Sequence, residues 1–155
     1  MTNFNLFRHF VSTFVLVIIC FSVDSVYAQN EKPFQGNATL TYEEAIKTYE
    51  NLANKHPQAT LLSSGKSDAG TPMHILLLDK NGAKSPSEID KDKIVIWINN
   101  GIHPGEPCGV DASVKLAKNI LSGSKKYAAL LDHATLVIVP IYNVGGSLNR
   151  GCCSR

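Results

Sequence analysis

Residues Lys93–Leu121 read KIVIWINNGIHPGEPCGVDASVKLAKNIL, and this stretch decides the fold. Ile94-Val95-Ile96-Trp97-Ile98 is an unbroken apolar run rich in β-branched residues, closed by Asn99-Asn100-Gly101. A run of that length ended by turn residues predicts a strand buried on both faces of a sheet. Downstream, Val110, Val114, Ala117 and Leu121 recur at helical spacing, Pro107 suits the first helical position and Gly123 suits the stop. Strand and helix are joined through His103-Pro104-Gly105-Glu106. Pro presets the first central φ of a turn and Gly accepts a positive second one, so the tetrapeptide predicts a type II turn. Such a turn brings its first and fourth residues together, an imidazole and a carboxylate converging on one point.

His103 and Glu106 are therefore the candidate metal ligands. Zinc takes nitrogen, sulfur and carboxylate donors, with bonds of about 2.0–2.2 Å to His and carboxylate, and a catalytic zinc keeps one position for water. Open α/β sheets also bind ligands beyond the carboxyl ends of their strands, which is where this turn falls. The plainer reading of His-x-x-Glu taken alone is a polar turn ahead of a helix.

Three separated signals then occur in one order. His103-Pro104-Gly105-Glu106 after an apolar strand resembles the His-x-x-Glu zinc motif of the zinc carboxypeptidases, the carboxypeptidase A/B-like metallopeptidases. Upstream, Gly65-Lys66-Ser67-x-x-Gly70-x-x-Met73 is similar to that family's Gly-x-Ser-x-x-Gly segment. Downstream, Ile141-Tyr142-Asn143-Val144-Gly145-Gly146 resembles its strand-end Asn-Pro-Asp-Gly segment, with Val144 and Gly145 in place of Pro and Asp. The resemblance runs from about Thr41 to the chain end.

It implies an α/β fold, a mixed and largely parallel sheet with flanking helices, incomplete at the C-terminus. It implies one Zn2+ ion held by His103, Glu106 and a third His missing from this chain, and peptide or protein substrates shortened from their C-terminal ends. The family's general-base Glu, polarising Arg and Asn-Arg pair for the substrate carboxylate are expected beyond Arg155. No catalytic residue is therefore assigned in this chain, which is expected to be poorly active or inactive as a truncated N-terminal part. Arg150 and Arg155 follow the Asn143–Gly146 segment, but the match makes neither the polarising Arg. Two other expectations compete: a zinc amidohydrolase or deacylase acting on small N-acyl amino acids, and a secreted non-catalytic binding module.

The 155 residues suit one domain or part of one. A hydrophobic share of 44% with 18% charged residues argues against long disorder. A net charge of +2, with basic residues scattered, argues against a nucleic-acid partner. Arg8 and His9 precede the apolar Phe10–Phe21, which is too short to span a bilayer. Val26-Tyr27-Ala28 supplies a small-residue cleavage pattern, so residues 1–28 predict a signal peptide, with an uncleaved anchor as the alternative. Val17-Ile18-Ile19 ahead of Cys20 lacks the small residues of a lipoprotein processing site. The mature protein is expected to be exported, periplasmic or extracellular, without a stable membrane span. Residues 29–40 read as a flexible leader and 41–155 as the N-terminal part of the zinc carboxypeptidase-like domain.

Within that domain, Thr41-Tyr42-Glu43-Glu44 is a capping box. The helix behind it carries Tyr42, Ala45, Ile46, Tyr49 and Ala53 on one stripe and ends at His56-Pro57. Strands are expected near Ala59–Ser64 and Met73–Leu78, antiparallel across a short connection. Asp79–Asp92 reads as a surface loop, Ser122–Asp132 as irregular or partly helical. Ala134–Ile141 reads as a second apolar strand, parallel to the first across the helix.

The other candidates have simpler roles. His133 precedes the last strand, at the far end of the sheet from His103, and His56 and His74 read as structural. Asp111 either orients His103 through its second ring nitrogen or sits in the first helical turn favouring the helix dipole. Cys108 is a ligand or a small residue packed in the first helical turn, and packing is the simpler reading. Without the signal peptide, Cys108, Cys152 and Cys153 remain, an odd number that predicts no disulfide framework.

Overall fold

Helix α1 (Tyr42–Lys55) starts where the capping box puts it: the Glu44 N–H donates to Thr41 Oγ1 at 3.2 Å, and Glu44 Oε2 accepts from the Thr41 N–H at 2.9 Å. It ends at His56, whose backbone is extended because Pro57 excludes the helical conformation from the residue before it. Of the expected stripe, Tyr42, Ala45, Ile46 and Tyr49 are buried and Ala53 is half-buried, and Leu52 joins them. The structure is a computed structural model describing residues 39–150. The expected signal peptide, the leader up to residue 38, and Cys152 and Cys153 lie outside the described residues.

Strands β1 (Ala59–Lys66) and β2 (Pro72–Leu78) form the expected antiparallel pair, from Ala59 opposite Leu78 to Lys66 opposite Pro72. A surface loop containing a 3-10 turn at Pro86–Glu88 leads to β3 (Ile94–Asn99). Helix α2 (Cys108–Leu121) and the short α3 (Lys125–Ala128) and α4 (Leu130–His133) carry the chain to β4 (Ala134–Val139). Helix α5 (Val144–Leu148) follows. Among the described residues the sheet order is β1-β2-β4-β3. β3 and β4 are parallel, in register from Ile94 opposite Ala134 to Asn99 opposite Val139, while β2 pairs antiparallel with β1 and β4. This is a mixed α/β sheet with flanking helices.

The main core lies between one sheet face and two helices. Leu76, Leu78, Leu136 and Ile138 meet Tyr49 and Leu52 of α1 and Val114, Ala117 and Ile120 of α2. Full burial of each such aliphatic side chain contributes about 1.5–3 kcal/mol. A second cluster, Tyr42, Ala45, Ile46, Val110, Ile141 and Val144, gathers residues of α1, α2, α5 and the segment between β4 and α5.

The expectation that β3 is buried on both faces does not hold. Ile94, Val95 and Trp97 are 67%, 50% and 59% exposed, while Ile96 and Ile98 are half-buried on the helical face. The strand buried at every position is β4. The reason is topological: β3 lies at the margin of the described sheet and β4 inside it. An apolar run specifies a strand, but its rank in a sheet is set by partners remote in sequence.

At the amino end of the parallel pair a charged group is buried. Thr135 Oγ1 donates to Asp79 Oδ2 at 2.6 Å, Asp79 Oδ1 accepts from the Asn81 N–H at 2.8 Å, and Lys93 Nζ lies 3.6 Å from Oδ2. Burial pushes the Asp79 carboxyl up, but the Thr135 hydroxyl, the Asn81 and Ala83 N–H groups and Lys93 together hold it below the usual carboxylate range. This cluster ties the end of β2 to the start of β4.

Candidate metal centre

The site begins with Asn100, a buried polar side chain just past β3. Its backbone N–H and its Nδ2 both donate to Val139 O, at 3.2 and 3.1 Å, and its Oδ1 accepts from Ser113 Oγ at 3.1 Å. Its own carbonyl accepts from the Tyr142 N–H at 2.8 Å. One residue thus binds the exit of β3 to the exit of β4 and to α2. A buried amide is stable only with its donors and acceptors satisfied, and here they are. Gly101 follows with φ +61°, a conformation open to glycine, and its carbonyl accepts from the Asn143 N–H at 3.1 Å. These bonds fix where the loop leaves the sheet.

The loop then makes the expected tight turn, closed by the Glu106 N–H donating to His103 O at 3.0 Å. Its type differs from expectation. Gly105 is not among the glycines with positive φ, which excludes type II and leaves the type I family. The physical reason lies downstream: the central residues of a type I turn are near-helical and lead into the first turn of α2, while the reversal that needs positive φ has already been made at Gly101. Pro104 is buried and anchors the turn, while His103 and Glu106 are exposed.

His103 Nδ1 and Glu106 Oε2 stand 3.4 Å apart. A charge-assisted hydrogen bond would draw such atoms to about 2.7–2.9 Å. Two donors each about 2.1 Å from a tetrahedral zinc ion would instead stand about 3.4 Å apart. The two donors therefore fit zinc in both type and separation. Among the described residues no group of three or more His, Cys, Asp or Glu side chains is gathered to hold a metal.

The remaining candidates are elsewhere. Asp111 accepts from the Leu40 N–H at 3.0 Å, and Arg150 Nη1 donates to Leu40 O at 3.0 Å. Asp111 thus stands in the first turn of α2, as one of the two expectations had it, and it also engages the segment ahead of α1. Cys108 is exposed rather than packed, since it sits about 200° around the helix from Val110. His133 is exposed beside the first residue of β4, at the opposite end of the sheet from His103. His56 caps α1. His74 Nδ1 lies 3.3 Å from Tyr42 Oη, which donates to Pro72 O at 2.6 Å, and burial lowers the His74 pKa. Asn100 and Ser113, which hold this loop, were not among the candidates, while Asn143 stood only within the 141–146 segment. Ser113 left a signal, a polar residue on the Val110–Val114–Ala117 stripe.

Known proteins share this arrangement of sequence and fold. A family model described as zinc carboxypeptidase matches residues 45–147. Carboxypeptidase B of Astacus astacus is 28% identical over 106 residues, covering 68% of this chain and 32% of that protein. Carboxypeptidase 2 of Trichophyton tonsurans is 29% identical over 83 residues, 52% of this chain and 15% of that protein. Among solved structures, a metallo-carboxypeptidase from Burkholderia cenocepacia superposes with a TM-score of 0.57 at 26% identity, covering 70% of this chain and 28% of that one. Carboxypeptidase A from Helicoverpa armigera shares the fold, with a TM-score of 0.61 at 22% identity over 74% of this chain and 29% of its own. The chain spans about a third or less of the length of these relatives.

Proposed function

Because the chain belongs to the zinc carboxypeptidase family, we propose that His103 and Glu106 are two protein ligands of one zinc ion in a site that removes C-terminal amino acids from peptides. The observation that carries this reading is the 3.4 Å separation of His103 Nδ1 and Glu106 Oε2 on a hydrogen-bonded turn at the carboxyl end of the β3–β4 pair. When bound, zinc lowers the pKa of a coordinated water and polarises the scissile carbonyl. The chain's own residues supply the rest of the geometry. His103 offers a ring nitrogen and Glu106 a carboxylate oxygen, Asn100 and Gly101 set the height of the loop above the sheet, and buried Pro104 holds the turn down.

A third ligand, a general base and a polarising Arg are not assigned among these residues. A general base beside a zinc-bound water would contribute about 10²–10⁴-fold in rate. The signal-like residues 1–28 support an exported enzyme, periplasmic or extracellular. Among the described residues no helix is long and apolar enough to cross a membrane.

Zinc uptake tests the reading. After dialysis against micromolar zinc, metal analysis of His103→Ala and Glu106→Ala is expected to show bound zinc lowered by more than about tenfold, the loss that removing an outer-shell partner alone can cause. Undiminished zinc in both variants overturns it. Release of C-terminal residues from synthetic peptides, without hydrolysis of N-acyl amino acids, separates the peptidase from a deacylase.

A further inference from the structure

The turn bearing His103 and Glu106 rests against α5 at Gly146. A Cβ built on Gly146 would overlap Pro104 Cγ and would lie 2.8 Å from Asn143 Oδ1, where non-bonded carbons need about 3.5 Å. The two obstacles are unequal. Asn143 can rotate its side chain away at the expense of its cap on α5, a 2.9 Å acceptance from the Gly146 N–H. The Pro104 ring has no such freedom. It is buried, and it can yield only by moving the backbone between His103 and Glu106. The same segment grips the loop twice more, through the Asn143 N–H to Gly101 O at 3.1 Å and Asn143 Nδ2 to Ile102 O at 3.4 Å.

We infer that Gly146 is a positioning residue for the metal pair: its missing side chain is the space into which Pro104 closes, and that closure sets the separation of His103 and Glu106. The inference rests on the proposed zinc reading. Gly145 is the contrast. A Cβ there would meet Ala69 Cβ at 3.3 Å and Asp68 Oδ1 at 3.5 Å, atoms of the β1–β2 connection rather than of the metal turn.

The test is zinc affinity, measured by competition with a chromophoric chelator, with thermal melting of the metal-free protein as the second readout. Gly146→Ala is expected to weaken zinc binding about 10–100-fold, as loss of a supporting contact does, and Gly145→Ala less than about threefold. Adding Pro104→Ala to Gly146→Ala removes the rigid obstacle and is expected to bring affinity back to within about threefold of Pro104→Ala alone, the signature of two coupled positions. Zinc bound as tightly by Gly146→Ala as by the wild type overturns the inference and leaves the metal reading intact. So does a double variant that binds zinc no better than Gly146→Ala, or that fails to fold when Pro104→Ala folds, since either result assigns Gly146 to general packing. Wild-type protein that takes up no zinc overturns the metal reading and the inference together.

Discussion

β3 and β4 are parallel neighbours six residues long, and both are rich in isoleucine and valine. Their surroundings are opposite. Ile98 and Ile138 are rung partners, yet Ile138 is fully buried and Ile98 only half so. On the next rung Val137 is buried and its partner Trp97 is 59% exposed. Among the described residues, the strand that leads into the His103–Glu106 turn is therefore the one carrying less of the core, and its neighbour carries more. Among the described residues, the exit of β3 is clamped to that of its better-buried neighbour through Asn100.

The sharpest test of that contrast is one substitution made on both strands. Ile138→Ala is expected to cost about 4 kcal/mol and Ile98→Ala about 1–2 kcal/mol, because only the first opens a cavity that its neighbours cannot refill. Urea unfolding of the two variants checks this, and equal costs would break the comparison. Next in size is the Asp79–Thr135 bond at the start of β4. Thr135→Val is expected to cost about 2 kcal/mol, the contribution of a hydrogen bond to a charged group. Asp79 has a lowered folded pKa, so its contribution is present above the ordinary carboxylate range and is lost as pH falls through the folded value. Thr135→Val should therefore move the acid-unfolding midpoint, followed by circular dichroism, to higher pH. Smaller and of opposite sign is Tyr49→Phe. The Tyr49 hydroxyl is buried at the main core with no hydrogen-bond partner among the described residues, and burial raises its pKa. Removing that oxygen should stabilise the protein by about 1 kcal/mol in the same urea assay. Least of all, Trp97→Ser should change stability by less than about 0.5 kcal/mol. It should lower self-association in sedimentation velocity, because exposed apolar edges recruit other strands.

Local signals were legible in proportion to how local their physics is. The Thr41–Glu44 box, the stop at His56-Pro57, the β1–β2 pair and the strand–helix–strand passage through Lys93–Val139 could all be read from the chain. So could the closeness of His103 and Glu106, since three residues and one hydrogen bond bring them together. What could not be read depends on contacts between remote residues. The exposure of β3 follows from β4 lying between it and β2, and the type of the turn follows from Gly101 having already reversed the chain. Asn100 looked like turn punctuation because Val139 and Ser113 are 39 and 13 residues away. Asp111 could be placed in the first turn of its helix, but not against Leu40, 71 residues earlier.

Asn100 is followed by glycine, the sequence in which a side-chain amide is most open to attack by the next backbone nitrogen, closing a cyclic imide and shedding ammonia. In the folded chain both ends of that amide are engaged, by Val139 and by Ser113. The bracket that steadies the loop thus also guards it against spontaneous chemical ageing, and a molecule that stays folded should keep this asparagine long after an unfolded one has converted it to aspartate.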